Sequence, residues 1–210
     1  LNGKLGDSLT KTTIVMGSVL IVALIVQFRV RRYVPAVYWV AVVLLSVVGT
    51  LITDNMVENF HVSLTTSTIV FAILMLATFG IWYAVEHTLS IHSITTWRRE
   101  AFYWLAILFT FALGTAAGDL IAEKYDLGYG KSVALFAGLI ALIGLAYWKL
   151  HLNAILAFWG AYVLTRPLGA SIGDLLSQPR QIAADADPGT GKGFGLGTTT
   201  TSLIFLTAIL

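Results

Sequence analysis

Long apolar runs, separated by short polar segments, follow one another along almost the whole chain. Several of them reach the roughly 20 residues that a helix needs to cross the hydrocarbon layer of a membrane. The ten-residue alternating segments of a transmembrane β-barrel are absent from the sequence. The pattern predicts an all-α, polytopic transmembrane bundle with helices at residues 12–28, 35–53, 65–83, 99–122, 131–149, 153–175 and 197–210.

Composition supports this fold and excludes several classes of function. Of 210 residues, 57% are hydrophobic and 11% are charged, which is far from the balance of a soluble domain. The chain has no cysteine, so disulfides, thiolate metal sites and cysteine nucleophiles are excluded. A net charge of +2 without a basic tract gives no indication of nucleic acid binding. The expected partners are the lipid bilayer and a small cation or proton, and homo-oligomerisation is left open.

A repeated spacing underlies the apolar pattern. Each of three tryptophans is followed ten residues later by a glycine and fifteen residues later by an aspartate. The sets are Trp39, Gly49 and Asp54; Trp104, Gly114 and Asp119; Trp159, Gly169 and Asp174. The last two sets also carry a glycine directly before the aspartate, Gly118 and Gly173. The columns indicate tandem two-helix units that all cross the membrane in the same direction, as in transporters built from parallel repeats.

An incomplete unit precedes these three. The segment SLTKTTIV from Ser8 matches SLTTSTIV from Ser63, which begins the second helix of the next unit. The sequence therefore contains only the second helix of the first unit. We therefore expect eight helices in the full protein. The chain is interpreted as one transmembrane domain, 1–210, with repeats at about 1–33, 34–97, 98–152 and 153–210. A hydroxyl recurs near the start of each second helix, at Thr12, Ser67, Ser132 and Thr199.

Basic residues give the expected orientation. The loop FRVRRY carries Arg29, Arg31 and Arg32 close to two helix ends, which is typical of the cytoplasmic side of an inner-membrane protein. Basic residues as a whole divide equally between the two sides, so the orientation depends on this cluster. The motif aspartates then lie towards the external face, about 22 Å along each helix from the tryptophans. We expect Trp39, Trp104 and Trp159 to form an interfacial aromatic belt.

The aspartates are the main candidate functional residues, because ionisable side chains in membrane segments are costly and usually face a cavity or a partner. One interpretation is that Asp119 and Asp174, with Asp54 in a weaker copy, meet near the repeat axis and bind a metal ion, another cation or a proton. The alternative is structural, with glycine C-caps and interfacial aspartates hydrogen-bonded to the next helix.

Supporting groups complete the first interpretation. The motif glycines would let the helix backbones approach closely, or let the helices open and expose carbonyl oxygens as ligands. Hydroxyl oxygens would serve as neutral ligands. The expected helix-break residues are Gly114, Gly118, Pro167, Gly169 and Gly173, and the expected hydroxyl ligands are Thr115, Ser132, Ser171 and Thr199.

The third copy, YVLTRPLGASIGD, is the most unusual. Arg166 and Pro167 lie only about a dozen residues into an apolar helix, and the arginine needs a partner, for which Asp119 and Asp174 are the candidates. Two interpretations stay open: a gating charge that is released when a proton binds the aspartate, or a fixed structural ion pair.

Two further signals are weaker. The segment GTGKGFGLGTTTT has neither a preceding strand nor the GxxxxGK[ST] spacing of a phosphate loop, so we interpret it as an external loop and expect no cofactor. His61 lies near Asp54 and Glu58, where a metal site is the alternative to an interfacial role.

Three stretches carry a family resemblance: RREAFYWLAILFTFALGTAAGDLIAE, LTRPLGASIGDLLSQP and GLGTTTTS. They resemble the bacterial membrane proteins built from four tandem two-helix repeats of unknown function, the DUF347 type. The resemblance covers essentially the whole chain and implies a further N-terminal helix with its own tryptophan. This chain departs from the pattern at Thr53, which stands in place of a glycine.

Together these features favour an inner-membrane secondary transporter or exporter of a cation, with a divalent metal favoured and protons as counter-ion. A second hypothesis is a non-transporting scaffold or sensor in which the aspartates are structural. An intramembrane enzyme is disfavoured, because the sequence offers no nucleophile with a matching base.

Overall fold

The computed structural model describes residues 2–30, 33–125, 127–178 and 193–209. Within these ranges the chain is helical and has no strand, which confirms the predicted all-α class. The helices are α1 (Asn2–Arg29), α2 (Pro35–Asp54), α3 (Leu64–Glu86), α4 (Trp97–Asp119), α5 (Tyr129–Lys149), α6 (Ala154–Ser177) and α7 (Gly197–Ile209). Helices α2 and α4 continue directly into π-helical turns at Asn55–Asn59 and Leu120–Lys124.

Six of the helices are long and apolar enough to cross a membrane; only α7, with 13 residues, is shorter. Large apolar side chains on several of them, such as Ile14, Leu76 and Leu142, are more than half exposed. A soluble protein rarely exposes so much apolar surface, whereas lipid chains cover it at no cost. These are the features of a multi-pass membrane protein.

Local sequence determines where the helices begin and end. Pro35 occupies the first turn of α2. Backbone N–H groups in the first turn have no acceptor within the helix, so a proline there costs no hydrogen bond. Ser63 caps α3 by accepting a hydrogen bond from the N–H of Thr66, and Asn153 caps α6 in the same way. His87 ends α3 in the left-handed conformation, which histidine adopts more readily than most residues.

The chain forms two compact units, Leu1–Ala116 and Ala117–Leu210, so the boundary falls inside α4. Unit 1 contains α1, α2, α3 and most of α4, and its core includes the fully buried Leu45, Trp82 and Ile107. Unit 2 contains the end of α4 with α5, α6 and α7, and buries Phe136 and Trp159.

In unit 1, α2 and α4 lie side by side in the same direction. The hydroxyls of Tyr38 and Tyr103 are 2.7 Å apart, and those of Thr50 and Thr115 are 3.3 Å apart. Both pairs join residues that occupy the same position in successive repeats. Equivalent residues can meet at two depths only if the helices run parallel, as the repeat spacing predicts.

A buried carboxylate closes the loop between α3 and α4. Glu86 accepts hydrogen bonds from Nε of Arg98 and from Nε of Arg99, both at 2.6 Å, and Arg99 also donates to the carbonyl of Ser93. Of the loop arginines on which the predicted orientation depends, Arg31 and Arg32 lie outside the described residues.

Candidate functional site

The motif aspartates lie at or near the C-terminal ends of their helices. Asp54 and Asp119 are the last α-helical residues of α2 and α4, and Asp174 lies three residues before the end of α6. A carboxylate is unfavourable there because the helix dipole places partial negative charge at this end. Helix stability therefore does not explain why each repeat has an aspartate at this position.

The same two backbone hydrogen bonds close the turn after each aspartate. In the first, an aromatic residue donates its N–H to the residue after the aspartate: Phe60 to Asn55, Tyr125 to Leu120 and Phe194 to Leu175. In the second, an aliphatic residue donates to the following carbonyl: Val62 to Met56, Leu127 to Ile121 and Leu196 to Leu176. The third copy keeps both bonds although residues 179–192, outside the described ranges, lengthen its turn. The repeat therefore keeps these two hydrogen bonds after each aspartate, although a π-helical turn follows only Asp54 and Asp119.

In unit 2, the end of α4 packs closely against α6. A Cβ atom added to Gly118 would lie 3.8 Å from Cα of Pro167 and from Cβ of Ala170, which is ordinary van der Waals contact. Asp119 follows Gly118, and its carboxylate acts electrostatically on the guanidinium of Arg166. Arg166 lies near the middle of a helix that is long enough to cross a membrane. Two opposite charges are thus brought within electrostatic reach by a glycine–proline contact.

The helix breaks predicted at the glycines and at Pro167 are absent, and this prediction was wrong. Helix α4 runs through Gly114 and Gly118 without interruption, and α6 runs through Pro167, Gly169 and Gly173. A proline removes only one backbone donor, and membrane helices tolerate this loss when neighbouring groups compensate for it. The α-helical pattern changes instead after Asp119, in the π-helical turn Leu120–Lys124. Because the glycines lie inside helices, they are also not C-caps.

Helix α6 has a buried polar residue next to its aspartate. Pro167, Ser171 and Asp174 are four and three residues apart, so they share one face of the helix. Ser171 is 2% exposed, and its Oγ has no hydrogen-bond partner. By contrast Ser132, another predicted hydroxyl ligand in this unit, donates to the carbonyl of Gly128 at 2.9 Å.

The recurring hydroxyl of the last repeat is Thr201, and the prediction of Thr199 needs correction. Thr199 is exposed, whereas Thr201 is 5% exposed and its Oγ1 has no hydrogen-bond partner. Gly128 and Gly197 have nearly the same positive φ, 74° and 75°, and each lies four residues before its buried hydroxyl. The long insertion hides this register in the sequence.

Unit 1 contains an equivalent contact with different chemistry. A Cβ on Gly49 would lie only 3.0 Å from Cβ of Phe111, and the hydroxyl of Thr53 donates to the carbonyl of Ala112 at 3.1 Å. Thr53 occupies the repeat position of Gly118, Ala112 that of Pro167, and Phe111 that of Arg166. The contact made by α2, the helix of Asp54, therefore contains a phenyl ring at the position where the contact made by α4, the helix of Asp119, contains a guanidinium.

Thr115 also belongs to unit 1. Its hydroxyl donates to the carbonyl of Phe111 at 3.2 Å and lies 3.3 Å from the hydroxyl of Thr50. The structure therefore places this predicted ligand in the contact between α2 and α4.

Sequence reasoning missed a network of neutral side chains beside Asp54. The side-chain amide of Asn55 donates to the hydroxyl of Thr13 at 2.6 Å and to the carbonyl of Leu51 at 2.8 Å. Asn59 donates to the side-chain oxygen of Asn55 at 2.6 Å and to the hydroxyl of Thr10 at 3.1 Å. The sequence contained one indication of this network: Asn55 occupies the repeat position at which the other two copies have leucine.

The three motif tryptophans differ in their exposure. Trp39 is 54% exposed, but Trp104 is 3% and Trp159 is 5% exposed. The indole N–H of Trp104 donates to the Glu100 carboxylate at 3.2 Å, and its ring packs beside Tyr38. Protein groups therefore surround Trp104 and Trp159, and the interfacial position of the three tryptophans stays a prediction.

No group of three or more histidine, aspartate or glutamate side chains in the described part of the chain could hold a metal ion. His61, the predicted alternative ligand, lies in a left-handed turn after the first π-helical segment. A cation site in the described residues would therefore combine one or two carboxylates with neutral oxygen atoms.

The repeats match a known family model. The model described as "Repeat of Unknown Function (DUF347)" matches residues 37–88, 102–152 and 157–210, and each match contains one motif tryptophan and one motif aspartate. No curated protein and no solved structure matches the chain. The three matches cover most of the sequence and confirm the resemblance seen in its motifs. The chain therefore belongs to the family of proteins built from this repeat of unknown function.

Proposed function

We propose that the protein is a secondary transporter or exporter of a small cation in the bacterial inner membrane, coupled to protons. The proposal is carried by one observation, the opposite charges of Asp119 and Arg166 within electrostatic reach in membrane-spanning helices. Charged groups in such segments are expensive, and they usually mark an ion or proton path.

The pair suggests a mechanism of competition. Arg166 neutralises Asp119 while the site is empty, because the guanidinium serves as an internal cation. A proton or a transported cation that binds the carboxylate displaces this interaction and releases the positive charge. A ligand can shift a conformational equilibrium only if it binds one state better, and competition with Arg166 provides that difference. Asp119 is thus the proposed ion-binding group and Arg166 the proposed gating charge.

The second candidate is a scaffold or sensor with a fixed ion pair. It is favoured by the close contact of Gly118 with Pro167 and by the unbroken course of α6 through the proline. A permanently packed contact needs no ion to complete it. The two candidates differ in whether removal of the charges affects flux or only stability.

The test is a flux measurement with the full-length protein in proteoliposomes, across a panel of monovalent and divalent cations and with a pH-sensitive dye inside. The expected result is a selective cation flux that is lost in Asp119→Asn and in Arg166→Gln. Asp54→Asn is the matched control, because it changes the same repeat position on α2, whose contact with α4 has Phe111 at the repeat position of Arg166. Thermal unfolding of every variant monitors folding. Absence of flux in the wild type, with variants that are merely less stable, would favour the scaffold.

A further inference from the structure

Two arginine side chains share one buried carboxylate at the connection between α3 and α4. The Glu86 side chain is 6% exposed, and its two oxygens accept hydrogen bonds from Nε of Arg98 and from Nε of Arg99, both at 2.6 Å. Two guanidinium groups on one carboxylate leave one positive charge. The other two copies have uncharged residues at the repeat positions of these arginines: Tyr33, Val34, Asn153 and Ala154.

The two arginines are placed differently. Arg99 is mostly buried, and its Nη1 also donates to the carbonyl of Ser93 at 2.8 Å, so it holds the connection together. The Arg98 side chain is 58% exposed, and its contact with Glu86 uses only Nε. Within the described residues its two terminal nitrogens have no acceptor. Glu86 therefore fixes Arg98 in place and leaves exposed the terminal nitrogens, which can bind phosphate oxygens.

Exposed aromatic residues indicate the depth of this arginine in the membrane. Trp97, the first residue of α4, directly precedes Arg98 and is 74% exposed. Tyr33, just before α2, is 68% exposed. Tryptophan and tyrosine at the ends of membrane-spanning helices lie at the level of the lipid headgroups. Arg98 is thus expected at the depth of the lipid phosphate groups.

The charged side chains at this end of unit 1 differ in exposure according to their sign. The carboxylates are directed inward: Glu86 is buried, and the half-buried Glu100 accepts hydrogen bonds from two neighbouring side chains at 2.9 and 3.2 Å. Arg29, at the end of α1, and Arg98 are exposed. With Arg99 included, the described side chains at this end sum to one positive charge, and the exposed part of that charge is cationic.

We propose that Arg98, held in position by Glu86, binds the phosphate group of an anionic phospholipid. A guanidinium with exposed terminal nitrogens matches two phosphate oxygens, and the adjacent Trp97 favours a ligand that is anchored in the membrane over a soluble phosphate. The single excess positive charge is balanced by a lipid with a net negative charge, whereas a zwitterionic lipid brings an ammonium group of its own. This binding does not depend on cation transport.

Two substitutions of Arg98 separate charge from geometry. Arg98→Gln removes the charge and the paired donors, while Arg99 continues to pair with Glu86. Arg98→Lys keeps the charge and the ion pair but loses the planar donor pair. Lys11→Gln is the matched control, because it removes one exposed positive charge from the opposite end of unit 1.

The experiment measures thermal unfolding of the full-length protein in a neutral detergent, titrated with phosphatidylglycerol or with phosphatidylcholine of the same acyl chains. Glycerophosphate and inorganic phosphate are the soluble arms. We expect a saturable stabilisation by phosphatidylglycerol in the wild type and in Lys11→Gln, weakened by added NaCl. The half-saturating concentration should rise about tenfold in Arg98→Gln, as expected for one lost charge-assisted hydrogen bond, and by less in Arg98→Lys.

An unchanged response in Arg98→Gln, or equal stabilisation by the two lipids, would overturn the proposal. Stabilisation by either soluble phosphate at the same concentrations would replace the lipid by a soluble anion. A lower unfolding temperature of Arg98→Gln without lipid, together with an unchanged half-saturating concentration, would assign Arg98 a structural role only. If Arg98→Gln does not fold, Arg98→Lys takes its place, and a lipid response equal to that of the wild type would then reject the paired phosphate contact.

Discussion

Two helix contacts in this protein occupy the same position in successive repeats but differ in chemistry. In unit 1, Thr53 of α2 donates a hydrogen bond to Ala112 of α4, and Phe111 lies beside them. In unit 2, Gly118 faces Pro167, and Arg166 takes the place of the phenylalanine. The repeat thus supplies a common packing geometry with an aspartate on the first helix, and an arginine on the second helix appears in only one of the two contacts. A function that depends on charge is therefore expected where the copies differ.

The turns after the aspartates show the complementary lesson. Their backbone hydrogen bonds are the same in three copies, despite differences in side chains and in loop length. Asn55 and its neighbours add neutral hydrogen bonds in unit 1, whereas leucine fills this position in unit 2. These two backbone hydrogen bonds are therefore the shared element, and the polar side chains near them are specific to each copy.

The largest effect is expected when unit 2 receives the residue of unit 1 through Arg166→Phe. The substitution leaves the charge of Asp119 without its opposing guanidinium, and breaking a buried pair typically costs about 3–5 kcal/mol. Adding Asp119→Asn should restore much of this loss, because both charges are then gone. A double-mutant cycle on unfolding free energies measures the coupling. Simple additivity of the two substitutions would contradict the proposed pairing.

The next largest effect concerns the closeness of the helices in unit 1. In Gly49→Ala the new methyl group would lie 3.0 Å from Cβ of Phe111 and 3.2 Å from the backbone nitrogen of Ala112. Such overpacking is expected to lower the unfolding free energy by about 1–3 kcal/mol. Gly169→Ala is the control at the same repeat position, where nothing lies within 4 Å of the new atom. Equal unfolding temperatures for the two variants would argue against the difference in packing.

A smaller effect is expected when Asn55 is replaced by the leucine found in the other copies. Asn55→Leu removes the hydrogen bonds to Thr13 and Asn59 from a buried position. Polar contacts between membrane helices typically contribute about 0.6–2 kcal/mol, so we expect a loss in that range. Thermal unfolding measures it, with Asn59→Leu as a partial disruption of the same network. An increase in stability would show that this network does not stabilise the packing of the N-terminal half of α1 against the end of α2.

The smallest expected effect is a difference in stability between alanine variants of Ser67 and Ser132, which occupy the same repeat position. Ser132→Ala removes a hydrogen bond to Gly128 and should lower stability by about 0.5–1.5 kcal/mol. Ser67→Ala removes an unpartnered hydroxyl from a fully buried site and should leave stability unchanged or raised. A greater loss in Ser67→Ala than in Ser132→Ala would reverse this part of the comparison.

Much of the fold could be predicted because it depends on patterns that are local in the sequence. Apolar runs of sufficient length indicate membrane helices without any knowledge of their neighbours. The spacing from Trp39 to Asp54, found again from Trp104 to Asp119 and from Trp159 to Asp174, indicates repeats and parallel helices. The resemblance to the repeat family depends on the same motif residues.

The candidate site could be predicted only in part. The aspartates and Arg166 stand out because charge is rare in apolar helices. The motif glycines could serve close packing or helix opening, because both kinds of glycine look alike in a sequence; the structure shows unbroken helices, with close packing at Gly49 and Gly118. Thr201 was missed because the insertion conceals its register, and Asn55 because an amide next to an aspartate resembles an ordinary helix end.

The sequence by itself determined that this protein crosses the membrane, that it repeats a two-helix unit, and that each of the three recognised motifs has an acidic residue near a helix end. Tertiary structure alone decided that Gly118 of α4 packs against Pro167 of α6 while both helices stay unbroken. It also decided that Asp119 interacts electrostatically with Arg166, and that the Ser171 hydroxyl is buried without a hydrogen-bond partner. Hydrophobicity and spacing are properties of one segment, whereas contact and burial depend on how helices are rotated against each other. Apolar helices exposed to lipid have too little polar patterning to encode that rotation in a readable form.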